Sequence, residues 1–265
     1  MSTKRPLMIA LLSACFAAAL LPGAAEAQRR SYDNGSYESS RARTADRPGE
    51  FDYYTLVLSW SPTYCADRTS GRYDRQCDHR PPRPYAFVLH GLWPQHKRGY
   101  PERCWTKDKP WVPKPVVDQM LDIMPSPALV IHEYKKHGTC SGLDARGYYD
   151  LARRLYEGIK IPARYVEPAE SQQVSPDELA DEFVAANPGL RHDMLAISCR
   201  GAGNRLHEVR ICFSKSGELM PCGANENQRR LCQAQRMYVP PVRGGGVSAA
   251  SKNPAGQESP LPGPR

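Results

Sequence analysis

The chain has 265 residues, 40% of them hydrophobic, which suits one domain with a sizeable core plus tails rather than two full domains. A formal net charge of +8 makes polyanions natural partners, although many exported proteins are basic for solubility alone. No apolar stretch near 20 residues follows the amino terminus, which argues against a membrane-spanning helix.

In chain order, Lys4 and Arg5 precede an apolar run from Leu7 to Leu21, and Ala25-Glu26-Ala27 has the small-x-small pattern of a signal peptidase site. Residues 1–27 therefore read as a signal peptide cleaved near Ala27, and the mature protein as secreted or periplasmic. Residues 28–50 lack apolar periodicity, and residues 239–265 are rich in proline, glycine and serine. Both read as disordered arms around an ordered body at 51–238. Phe51 to Trp60 and Tyr85 to Leu89 are dense in aromatic and β-branched residues and predict strands. Ala128 to His137 has helical spacing, with Pro127 at its start and Gly138 where a C-cap glycine would stand. Gly147 to Ile159 puts Tyr148, Leu151, Leu155 and Ile159 on one helix face. Ser175-Pro176-Asp177-Glu178 is a capping box that opens a third helix to about Asn187. Met194 to Ser198 and Glu208 to Phe213 return to strand character, so the fold class is α+β.

Of nine cysteines, Cys15 lies in the leader, which leaves Cys65, Cys77, Cys104, Cys140, Cys199, Cys212, Cys222 and Cys232. An even number without a C-x-x-C pair predicts disulfides formed in an oxidising compartment. Cys212 and Cys222 flank Phe213-Ser214-Lys215-Ser216-Gly217, which reads as a turn between strands and predicts a hairpin staple there.

Two segments carry chemistry. In Phe87-Val88-Leu89-His90-Gly91-Leu92-Trp93-Pro94-Gln95 a buried strand delivers His90 into a Gly/Pro turn, and Trp93 is either a flat surface for a base or a core residue. In Ile131-His132-Glu133-Tyr134-Lys135-Lys136-His137-Gly138-Thr139-Cys140 five polar or ionisable groups crowd one short helix, with Glu133 and His137 four apart, as are His132 and Lys136. A zinc peptidase is the obvious rival, but it needs H-E-x-x-H. Here the histidines are five apart, roughly 140° around the helix, with Lys136 in the ligand position. Two imidazoles, an ammonium and a carboxylate suit RNA phosphodiester cleavage instead, because the 2′-OH supplies the nucleophile and DNA lacks it.

HGLWPQ and HEYKKHGTC, in that order, resemble the two active-site segments of the ribonuclease T2 family. The resemblance runs from about Phe51 to Cys232. It implies a central antiparallel sheet flanked by helices and stapled by disulfides. It implies a metal-independent endoribonuclease of low base specificity, without a cofactor, that cuts single-stranded RNA to 2′,3′-cyclic phosphates and then more slowly to 3′-phosphates. On this reading His137 is the general base and His90 the general acid, His132 binds phosphate, Glu133 and Lys136 stabilise the pentacovalent transition state, and Trp93 serves the base site. The implied disulfides are Cys104–Cys140, Cys199–Cys232 and Cys212–Cys222, with Cys65–Cys77 left over. Tyr134 stands where the family commonly has tryptophan, which bears on helix packing or the shape of a base pocket. The remaining rival is a catalytically dead relative that binds RNA or protein. A monomer that cleaves RNA and spares DNA is expected.

Overall fold

The computed structural model describes residues 46–68, 74–78 and 85–242. Strand β1 (Tyr53–Trp60) is buried along its whole length, as its aromatic and aliphatic run predicts. It pairs antiparallel with β2 (Phe87–Gln95) on one side and with β5 (Arg205–Phe213) on the other. Strand β4 (Leu195–Arg200) also pairs antiparallel with β5. The short β3 (Gln172–Val174) and β6 (Met237–Val239) pair antiparallel with each other, and β6 meets β5 in parallel at one position. Among the described residues this makes one six-stranded sheet with β2 at an edge, and the fold is α+β.

Cross-strand register divides the two faces of the sheet. Tyr54, Leu56, Leu58 and Trp60 stand opposite Pro94, Leu92, Leu89 and Phe87. With Val209 and Ile211 they form the core, which helices α2 (Lys114–Met120), α4 (Ala145–Gly158) and α5 (Pro176–Ala186) cover with Met120, Tyr148, Tyr149, Leu155, Leu179 and Phe183. The Ser175–Glu178 capping box opens α5 as expected. The opposite face carries Thr55, Val57 and Ser59 with Trp93, Gly91, Glu208 and Arg210.

Three expectations change. Strand β2 does not end at Leu89 but runs through the first motif to Gln95, because an edge strand tolerates Pro94 and a bulge absorbs His90. Helix α3 (Pro127–Lys136) ends on His137, and Gly138 opens a 3-10 turn, Gly138–Cys140, without the positive φ of a C-cap glycine. Glycine is needed there because a Cβ would strike the Tyr134 ring. Finally, ordered chain extends beyond 51–238. The Gly49 N–H donates to the Cys140 carbonyl at 2.9 Å, and the Val242 N–H to that of Pro168 at 2.9 Å. Those bonds reach across the chain, so local composition does not reveal them. The expected leader 1–27 lies outside the described residues, as do positions 28–45 of the expected arm and 243–265 of the tail.

The disulfides are Cys65–Cys77, Cys104–Cys140, Cys199–Cys232 and Cys212–Cys222, the pairs the resemblance implies. The segment between Cys212 and Cys222 turns back on itself, with the Ser214 N–H donating to Glu218 O at 2.7 Å and Phe213 bridging to Leu219. Among the described residues no helix is long and apolar enough to cross a membrane.

Candidate active site

The two motifs meet where β2 passes the carboxyl end of α3. Val57 pairs with Gly91 and Leu58 with Leu89, so His90 is the extra residue of a β-bulge, without a partner on β1. The bulge re-aims its ring, which keeps 31% of its surface open. Nδ1 donates to Glu208 Oε1 at 2.9 Å, and Nε2 lies 3.8 Å from Glu133 Oε1. Gly91 permits this approach, since a Cβ there would fall on Glu133 Oε2 and the Trp93 ring.

Helix α3 is capped by Ser126, whose hydroxyl accepts from the Leu129 N–H, with Pro127 in the first turn. Val130 and Tyr134 join the core, while Glu133 and His137, one turn apart, meet Trp93. The carboxylate of Glu133 is buried; its Oε2 accepts from Trp93 Nε1 at 2.7 Å and stands 4.0 Å from His137 Nε2. The Trp93 ring stacks on His137 at 5.0 Å, meets His90 edge-on at 5.3 Å, and lies 5.2 Å below the Arg210 guanidinium. Lys136 is 32% exposed, with Nζ 3.8 Å from Glu102 Oε2. His132 stands apart on the exposed side of the helix. Thus His90, Trp93, Glu133 and His137 form one cluster, Lys136 lines a cavity with Trp93 and His137, and His132 remains outside both.

The two clustered imidazoles are driven apart in protonation. Burial disfavours charge on His90, but the hydrogen bond to Glu208 and the charges of Glu133 and Glu208 outweigh it, so its pKa stands above the ordinary value. Burial, followed by the charges of Lys136 and His90, lowers His137 from 6.5 to about 3. Its Nδ1 is buried without a hydrogen-bond partner. His132 is lowered more mildly, by partial burial and then by Lys136 and Arg103. Burial raises Glu133 against the pull of His90, Trp93 and Lys136. One imidazole is therefore neutral, and its neighbour carries a proton more readily than free imidazole.

The ribonuclease T2 family model matches residues 51–222. The chain belongs to the ribonuclease T2 family. A "Ribonuclease" of Aeromonas hydrophila is 36% identical over 196 residues, covering 72% of this chain and 85% of the relative. "Ribonuclease I" of Escherichia coli is 25% identical over 228 residues, covering 72% and 85%. In fold the chain is similar to RNase NT, solved in complex with 5′-AMP, with a TM-score of 0.55 at 21% identity over 72% of this chain and 99% of the other. The protein is an RNA-cleaving enzyme.

Beside the cluster this T2 ribonuclease has a cavity of about 410 Å³, walled by Trp93, His137, Lys136, Arg210, Gln95 and Tyr100 among others. The Gln95 amide is held there by Asn225, whose Nδ2 donates to Gln95 Oε1 and to Gly99 O, both at 2.7 Å. A second cavity, about 290 Å³, has Arg205 as the one charged side chain of its lining, too little for acid–base chemistry. Cys212, Cys222 and Glu226 converge closely enough to suggest a metal site, but the two sulfurs are bonded to each other. Glu226 instead accepts from Tyr53 and from Thr55 Oγ1.

Sequence reading missed Glu208, Arg210 and Asn225. For Glu208 a signal existed: a carboxylate inside a predicted buried strand is costly unless paired, which marks it for attention. Nothing local points to His90 as its partner, 118 residues away. Tyr134 packs against Tyr148 and Tyr149 and donates to Leu143 O at 3.2 Å, so its difference from the family falls in the core behind the helix.

Proposed function

We propose that this ribonuclease is a metal- and cofactor-independent endonuclease of single-stranded RNA that leaves 2′,3′-cyclic phosphate ends, hydrolyses them more slowly to 3′-phosphates and has low base specificity. The observation that carries it is the pair of imidazoles on either side of Trp93 and Glu133, with pKa values pushed in opposite directions. His137, neutral at physiological pH, takes the 2′-OH proton as general base, and the freed oxygen attacks phosphorus. His90, protonated, gives its Nε2 proton to the departing 5′-oxygen. The roles reverse when water opens the cyclic ester. Negative charge gathers on the non-bridging oxygens of the pentacovalent transition state, where the Lys136 ammonium stabilises it, while Glu133 supports the transition state through His90, whose proton its charge helps to hold. His132 holds a flanking phosphate, and the cavity beside Trp93 takes a base.

Metal independence is supported by the spacing of α3, which leaves His132 exposed and His137 buried so that they share no ligand face. DNA is spared because it has no 2′-OH. The enzyme acts as a monomer outside the cytoplasm after its leader is removed near Ala27; the paired cysteines support an oxidising compartment.

The test is cleavage of RNA and sequence-matched DNA in excess chelator by the wild type, His90→Ala and His137→Ala. Wild type should cut RNA alone, with cyclic ends detected by mass spectrometry, and each substitution should slow it by about 10²–10⁴-fold. Loss of wild-type activity in chelator, or full activity in either variant, would overturn the mechanism.

A further inference from the structure

We infer that Glu208 is the positioning residue of His90: by accepting a hydrogen bond from Nδ1–H it fixes the ring with Nε2 toward Glu133, and Arg210 anchors Glu208 in turn. This rests on the proposed role of His90 as the acid. The need for an anchor follows from the bulge, since His90 has no partner on β1 and the ladder does not hold it. Glu208 is fixed on both sides, because β5 is internal and Glu208 stands opposite Ser59 of β1 and Ser198 of β4. Its carboxylate is buried. Oε1 accepts from His90 Nδ1 at 2.9 Å, and Oε2 accepts from Arg210 Nε at 3.1 Å and Nη2 at 2.8 Å. A buried carboxylate is tolerated only with such partners, and each bond removes a direction in which it could turn.

The consequence for proton transfer is specific. In the charged ring Nδ1–H stays on Glu208 while the Nε2–H bond breaks toward the 5′-oxygen. The ring left behind is neutral, with its proton on Nδ1 and a free lone pair on Nε2, the tautomer needed to accept a proton from water in the second step. A ring free to turn would present either nitrogen. The charged and titratable groups that act on His90 are Glu133, His132 and His137 from α3 and its end, and Glu208, Arg210 and His207 from β5. Loss of the Glu208 charge leaves Glu133 as the one acidic group among them, so His90 would give up its proton at lower pH.

The experiment compares wild type, Glu208→Gln and Glu208→Ala on a dinucleotide, measuring kcat, KM and the pH profile of kcat/KM. In parallel, nitrogen-15 NMR of wild type with labelled histidine reads which nitrogen of neutral His90 carries the proton, assigned with His90→Ala. For Glu208→Ala kcat should fall about tenfold to hundredfold with KM within about twofold. In Glu208→Gln, which keeps an acceptor but no charge, the alkaline limb should move to lower pH. Wild-type kcat and an unmoved alkaline limb in folded variants would overturn the inference. So would a neutral His90 protonated on Nε2, an outcome that requires no variant to fold. If wild type fails to cleave RNA, the proposed function fails, while the NMR result still decides the Glu208–His90 contact.

Discussion

Near neutrality two free imidazoles would each be partly protonated, so only a fraction of molecules would hold one charged and one neutral ring, whereas here the two environments differ. His137 is held at about 3, so the proposed base is protonated only in strong acid. His90 is held above the ordinary value, so the proposed acid stays protonated further toward neutrality. The base must be neutral and the acid charged, so kcat/KM should rise through the His137 value on the acid side and fall through the His90 value on the alkaline side. The profile of wild type on a dinucleotide should therefore be broad and acid-tolerant; an acid limb near 6.5 would contradict it. Gly91 makes a second prediction. Because a Cβ there falls on Glu133 and Trp93, Gly91→Ala should cost about 1–3 kcal/mol in urea unfolding and lower kcat, since those two groups must move. The residues of the cluster were legible in the sequence because they lie in two short segments, but their distances were not. Glu208 shows why: its partner sits two strands away, and only the β2–β1–β5 order brings them together.

Among elements, the long strand β1 and the helices α4 and α5 could be read from periodicity and capping, since each sequence pattern agrees with what it packs against. The short α1 (Ser61–Ala66) and α2, and the three-residue β3 and β6, could not. They carry too few residues for a period to show, and tertiary contacts decide them. The end of α3 depends on the chain after β2 in the same way. The Arg103 N–H donates to Lys136 O at 2.7 Å, and Cys104 is bonded to Cys140. Replacing both cysteines by alanine opens a link spanning 36 residues, which should cost about 2–4 kcal/mol by thermal unfolding. If that link also keeps His137 in place against Trp93, kcat should fall more than KM rises. An unchanged kcat would mean that α3 holds His137 without it.

On the scale of the whole molecule, the excess of lysine and arginine is a property no single site explains. Arg103, Lys136 and Arg210 stand at or beside the cleft. If about three phosphates are neutralised there, affinity for a deoxy-oligonucleotide, which lacks the 2′-OH that the proposed chemistry needs, should drop roughly tenfold or more between about 50 and about 200 mM salt. A flat salt response by fluorescence anisotropy would place binding on uncharged contacts. The bulge also has a bearing on how such a molecule changes over generations. Leu89 and Gly91 already stand opposite adjacent residues of β1, so removing His90 would close the gap without shifting any other pair in the ladder. The sheet would be more regular and the proposed acid gone. Strand register and the proposed reactivity are thus separable at this position: a descendant lacking that one codon would keep the β1–β2 ladder and leave the Glu208 carboxylate with Arg210 as its hydrogen-bond partner.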